Sequence, residues 1–170
     1  METGKMLSLV SGIITIVATY LFSWYAIDVG TVYYSNGLGI IYNLETMFTD
    51  AESLGATLDI PGFSIYIVAG FFIAFLVAGV FQILGMKHRA FVLIGTLLVL
   101  LTATLIFLGS GDVVDVENWV TNILGTDQPL IEDIIPLKIL GYGTFDIGMY
   151  LLYAAGIIGI IATVYGPGAF

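Results

Sequence analysis

Polar and apolar positions separate along this chain into long blocks. Four apolar runs, at about 6–27, 63–86, 90–108 and 145–165, come near the roughly 20 residues that cross a ~30 Å hydrocarbon layer as a helix. In the first run Ser8, Ser11, Gly12, Thr15, Ala18, Thr19 and Ser23 recur at spacings of three or four, which places them on one helical stripe. The second run repeats small residues at Gly70, Ala74 and Ala78. The fourth does so at Ala155, Gly159 and Thr163, with Gly148, Gly156 and Ala162 beside them. The third is Leu-rich around Gly95, Thr96, Thr102, Ala103 and Thr104. Small residues let helices approach closely in lipid, and hydroxyls bond across the contact. The expected fold is therefore all-α, an antiparallel four-helix transmembrane bundle within one domain, 1–170. The same small-residue series would equally serve homo-oligomerisation.

The gaps carry a different pattern. In the first, about 28–62, Val29–Tyr34 is β-branched and aromatic, Ser35-Asn36-Gly37 is a turn signal, and Leu38–Tyr42 is a candidate return strand. This predicts a β-hairpin capping the bundle, followed by a short helix within Asn43–Gly55 and a third strand at Ala56–Ile60. Pro61 suits the entry to the second span. Trp24 and Tyr25 suit a membrane interface. In the second gap, about 109–144, Val113–Leu124 reads as a short amphipathic helix around Trp119, and Asp127-Gln128-Pro129 as a turn. Leu130–Leu140, with Ile134 and Ile135 at its centre and Pro136 interrupting it, is too apolar for a free loop. It is expected to be buried against the first gap, the membrane or a partner.

Charge gives this layout a direction. The net charge is −9, with only 10% of residues charged and 59% hydrophobic. The acids collect in the gaps: Asp28, Glu45, Asp50, Glu52 and Asp59 in the first, Asp112, Asp115, Glu117, Asp127, Glu132 and Asp133 in the second. Lys5, Lys87 and Arg89 lie on the opposite side of the runs, and only Lys138 shares the acidic side. The positive-inside rule then puts both termini and the Lys87-His88-Arg89 hairpin in the cytoplasm of a multi-pass cell-membrane protein. Both acidic loops face out. Lys87 and Arg89 are candidates for anchoring to lipid headgroups. The first run is longer than a signal-peptide core and reads as a retained span. Nucleic acid is excluded as a partner by the lack of a basic patch. The absence of cysteine excludes disulfides and thiolate metal sites.

Few residues offer chemistry. Asp146, at the start of the fourth run, is ionisable at membrane depth and thus a functional candidate, yet it also stands where a carboxylate caps a helix. Asp28 ends the first run, where the helix dipole disfavours it and solvent or a partner is expected. His88 lacks a second ligand and reads as a solvated loop residue. Ca²⁺ could be bound by the acids at 112, 115 and 117 or at 132 and 133, but no EF-hand-like loop frames them. Gln82 is the one strongly polar residue deep in a run. No phosphate loop, nucleophile elbow or zinc motif occurs. Neither a catalytic residue, a cofactor nor a metal site is expected.

With Trp24 near the end of the first span, Asn36-Gly37-Leu38 in the first loop and the tight basic hairpin Lys87-His88-Arg89, the layout resembles the claudin and PMP22-like tetraspan superfamily. It is also similar to prokaryotic four-span proteins whose first span runs into a Trp-Tyr or Trp-Phe pair. The resemblance implies the fold and a role in lateral or cell-surface association. Claudins carry Gly-Leu-Trp and two cysteines in that loop; here stand Gly37-Leu38-Gly39 and no cysteine, so barrier or pore function does not carry over.

The functional expectation is a non-enzymatic tetraspan acting through its acidic extracytoplasmic cap. Its partners would be membrane lipid and either further copies or other membrane subunits. The association candidates are the small residues at 70, 74, 78, 155, 159 and 163, and the cap candidates Trp24, Asn36, Gly37, Leu38, Trp119, Ile134 and Ile135. The alternative is a small channel or carrier using the first-span Ser/Thr stripe and Asp146. A third reading is a membrane enzyme or quinone-linked redox subunit.

Overall fold

The computed structural model describes residues 3–109, 116–128, 130–131 and 134–166. Helix α1 covers Thr3–Tyr20, and strands β1 (Tyr25–Asp28) and β2 (Val32–Ser35) follow. Next come α2 (Gly37–Thr49), α3 (Ala51–Thr57), α4 (Gly62–Leu76), α5 (Ala78–Leu84) and α6 (Arg89–Gly109). The short α7 (Val116–Trp119) continues as a π-helical turn, Val120–Leu124, into β3 (Gly125–Thr126). Strand β4 (Thr144–Phe145) leads into α8 (Ile147–Tyr165).

Among the described residues, three helices are long and apolar enough to cross a membrane: Thr3–Tyr20, Arg89–Leu108 and Ile147–Tyr165. A fourth candidate is the pair α3 and α4, which is bent by 99°. The chain is thus compatible with a multi-pass membrane protein. Helix α1 packs on α8 and α5, while α6 packs on α8, α5 and α4. Outward faces stay apolar along each helix, for example Val10 and Ile13, Leu97 and Leu101, Ile157 and Val164. A water-facing helix would place polar side chains there.

The first apolar helix stops at Tyr20, short of the expected Ile27, because the chain turns into the sheet. The second apolar run is two helices, not one. No proline causes the break at Val77 (φ −99°, ψ 3°); it coincides with a change of partners. Helix α4 packs on α2, α3 and α6, whereas α5 packs on α1 and α6. The Leu76 carbonyl freed by the break accepts from the Tyr20 hydroxyl at 2.8 Å.

At one end of the helices lies an antiparallel sheet of order β3-β2-β1-β4. The β1–β2 hairpin pairs Tyr25 with Ser35 and Asp28 with Val32, and turns at residues 29–31. Gly30 takes φ +94° there, and its N–H bonds to the Asp28 carboxylate at 3.0 Å. The hairpin does not turn at Asn36-Gly37 as expected. Asn36 is extended, and its side chain accepts from the Gly39 N–H at 2.9 Å, so it caps α2. Leu38–Tyr42 is helix, with Ile40, Leu44, Met47 and Ala51 turned to the core at helical spacing. The third strand at Ala56–Ile60 is also absent: Ala56 and Thr57 finish α3, and the next residues turn through Asp59 at φ +55°. Pro61 then precedes α4 as expected.

A single cluster of buried side chains runs from the helices into this cap. It joins Phe72, Phe75, Val99 and Leu152 to Trp24, Ile40, Met47 and Ile123. Cap and helices therefore pack as one body. Trp24, expected at the interface, is 0% exposed. Its indole N–H donates to the Ala18 carbonyl at 2.8 Å and its ring meets Phe75 edge-on.

Candidate functional site

The first-span polar stripe lies inside the helices, and Gln82 of α5 is its hub. Ser8, Ser11, Thr15 and Gln82 are all buried. The Thr15 hydroxyl donates to Gln82 Oε1 at 2.6 Å, and Gln82 Nε2 donates to Thr96 Oγ1 on α6 at 3.3 Å. Ser8 donates to the Gln82 carbonyl, and Ser11 to the Ala155 carbonyl of α8 at 2.8 Å. Three helices thus meet at one amide, whose oxygen and nitrogen are both used. In a medium without water these bonds hold side chains that would otherwise be stranded. The hydroxyls of Thr19 and Thr102, also buried, find no partner among the described residues.

Close backbone approach makes this geometry attainable. A Cβ on Gly12 would lie 2.5 Å from Ile83 Cγ1 and 2.6 Å from the Gly79 carbonyl. Gly159 faces Thr96 and Ser11, again with no room for a side chain. Ala78 and Ala155 are fully buried within the chain, and Ala74 and Thr163 are half-buried. Gly70 differs from the other glycines named here: it is exposed, and an added Cβ would meet nothing within 4 Å.

Asp146 is 1% exposed and acts as a clamp. Its carboxylate accepts from Ile147 N–H at 2.8 Å, capping α8, and from Ile139 and Leu140 N–H at 3.1 Å. Its own N–H bonds to the Trp24 carbonyl at 2.9 Å, so one residue joins α8, β1 and the second gap. Asp28, by contrast, is exposed at the end of β1.

The expected cap residues divide. Trp24, Asn36 and Gly37 are buried, Gly37 directly against Thr19 of α1. Leu38 is half-buried, and so is Trp119, which packs on the main core. Ile135 is half-buried and Ile134 exposed. Asn43 was not singled out, yet its side chain donates to the Ile123 and Gly125 carbonyls at 3.1 and 2.9 Å, tying α2 to the π turn. An Asn within an otherwise apolar amphipathic segment was the available signal. A concavity of about 590 Å³ opens beside β4, with Tyr25, Leu140, Phe145 and Tyr150 among its walls.

At the opposite end Lys87 and His88 are exposed. Arg89 is turned inward, its guanidinium donating to the Gly166 carbonyl just past α8, where a cation complements the helix C-terminus. Among the described residues no group of three His, Asp or Glu could hold a metal ion. Of the calcium candidates, Asp112, Asp115, Glu132 and Asp133 lie outside the described residues.

The chain matches no protein-family model, no curated protein and no solved structure.

Proposed function

We propose that this chain is a structural membrane tetraspan: a four-helix transmembrane bundle whose acidic, extracytoplasmic cap and lateral helix faces serve assembly with further copies or with other membrane subunits. Both termini and the Lys87–Arg89 hairpin lie in the cytoplasm of this arrangement.

The observation that carries the reading is the use made of the α1 stripe. A transport path needs its hydroxyls turned to a hydrated passage. Ser8, Ser11 and Thr15 instead bond to the carbonyls and side-chain amide of α5 and α8. Asp146, the other group a carrier would use, holds three backbone N–H groups. These groups are therefore engaged in cohesion, and recognition falls to the exterior. The lateral face with room for a neighbour is that of α4, where Tyr66, Ile67, Gly70 and Ile73 are exposed together.

Native mass measurement in mild detergent tests the proposal. A complex larger than one chain is expected, shifted towards monomer by Gly70→Leu. A strictly monomeric protein with no copurifying subunit overturns it.

A further inference from the structure

We propose that residues 130–131 and 134–142 form a lipid anchor, whose aliphatic side chains enter the membrane leaflet on the sheet side of the protein. This rests on the reading that the long apolar helices lie in a bilayer.

The segment is held at the depth where the helices end. Leu137 N–H donates to the Leu21 carbonyl at 2.7 Å, and Ser23 N–H to the Leu137 carbonyl at 2.9 Å, one to three residues past the end of α1. Ile139 and Leu140 are bonded to Asp146, the residue before α8. The strip therefore has no stalk on which to leave the membrane boundary.

Most of its large aliphatic side chains are exposed. Ile139 is 57% exposed, Leu130 56% and Ile134 54%, with Ile131, Leu137 and Leu140 also exposed. This apolar surface continues onto exposed Leu21 of the adjoining chain and onto Tyr150 of α8, which shares a concavity with Leu140. A water-facing loop of this size would not display so many large aliphatic groups together.

Part of the backbone is also internally paired. Irregular chain is excluded from hydrocarbon when its polar groups lack partners. Here Ile134 and Ile135 N–H both bond to the Ile131 carbonyl, at 3.0 and 2.9 Å, and Leu137, Ile139 and Leu140 are satisfied as described. Pro136 has no N–H to satisfy. Lys138 Nζ sits 3.8 Å from the centre of the Tyr142 ring, a cation and phenol suited to headgroup depth. Glu132 and Asp133 stand in the same stretch of sequence, and the cost of carboxylates in hydrocarbon limits immersion to side-chain depth.

The chain contains no cysteine, so single cysteines accept a nitroxide label cleanly. Labels at Ile134→Cys and Ile139→Cys, in the full chain in phosphatidylcholine bilayers, are compared with Ile157→Cys on the outer face of α8 and Val29→Cys in the hairpin turn. Collision with oxygen and loss of broadening by a water-soluble nickel chelate are expected at 134 and 139, as at 157; the label at 29 stays open to the chelate. Chelate access at 134 and 139 equal to that at 29 overturns the anchor. Closure to both reagents also overturns it, since a protein surface would then be the cover. Chelate access at 157 overturns the bilayer reading itself, independently of the strip.

Discussion

Thr15 on α1 donates its hydroxyl to the side-chain oxygen of Gln82 on α5 at 2.6 Å, and neither residue is exposed. The same amide reaches Thr96 on α6, so one side chain links three helices. In lipid there is little hydrophobic drive between helices, and such bonds together with close packing supply the cohesion. A double-mutant cycle of Thr15→Val and Gln82→Leu, measured by reversible unfolding in mixed micelles, is expected to give a coupling of about 0.6–1.7 kcal/mol. A value within the ~0.3–0.5 kcal/mol scatter of independent sites would show that the bond contributes nothing specific.

Gly12 and Gly70 make a contrasting pair. Gly12→Ala forces its Cβ against Ile83 and the Gly79 carbonyl and is expected to destabilise by about 1–3 kcal/mol. Gly70→Ala enters open space on a helix and should stabilise the monomer by up to about 1 kcal/mol through helix propensity. The same unfolding assay reads both; equal effects would contradict the packing described.

Removing the clamp at Asp146 should loosen the second gap without melting the helices. Asp146→Ala loses the α8 cap, worth about 1 kcal/mol, and strands the N–H groups of Ile139 and Leu140. Asp146→Asn keeps an oxygen for the cap and is expected to fall between Ala and the parent. Amide hydrogen exchange at Ile139 and Leu140 should accelerate most in the Ala variant, with exchange in α6 unchanged.

At the Val77 break, Tyr20→Phe deletes the hydroxyl that satisfies the Leu76 carbonyl. A loss of about 0.5–1.5 kcal/mol is expected. Faster exchange confined to the first turn of α5 would locate the effect, and uniform acceleration across all helices would argue against a local latch.

Much of this was readable from residue spacing, and the misses have physical causes. The α1 stripe was legible because a helix repeats every 3.6 residues, so hydroxyls three and four apart must share a face. That Gln82 was their partner was not, since pairing across helices depends on azimuth and depth. Asn36-Gly37 misled because the dipeptide suits both a tight turn and a helix start. The 4-3-4 spacing of Ile40, Leu44, Met47 and Ala51 carried the helix, but β-branched and aromatic neighbours at Ile41 and Tyr42 masked it. The real hairpin turn lay earlier, at residues 29–31, where the side chain of the preceding Asp28 bonds two residues on. Trp24 looked interfacial because tryptophan usually is; only the fold supplied the Ala18 carbonyl that lets its N–H be buried.

Local chemistry therefore determined which segments are apolar enough for lipid, where they pause, which faces are small and polar, and where the acids gather. These follow from hydropathy, period and charge, quantities that each residue carries with it. Tertiary structure decided which small residues close on a neighbour and which, like Gly70, stay open. It broke the second apolar run at Val77, made Asp146 a clamp, and left Ile134 and Ile139 facing outward. Each of those outcomes depends on which surfaces meet, and a contact between distant residues is a property of the packed chain rather than of either residue alone.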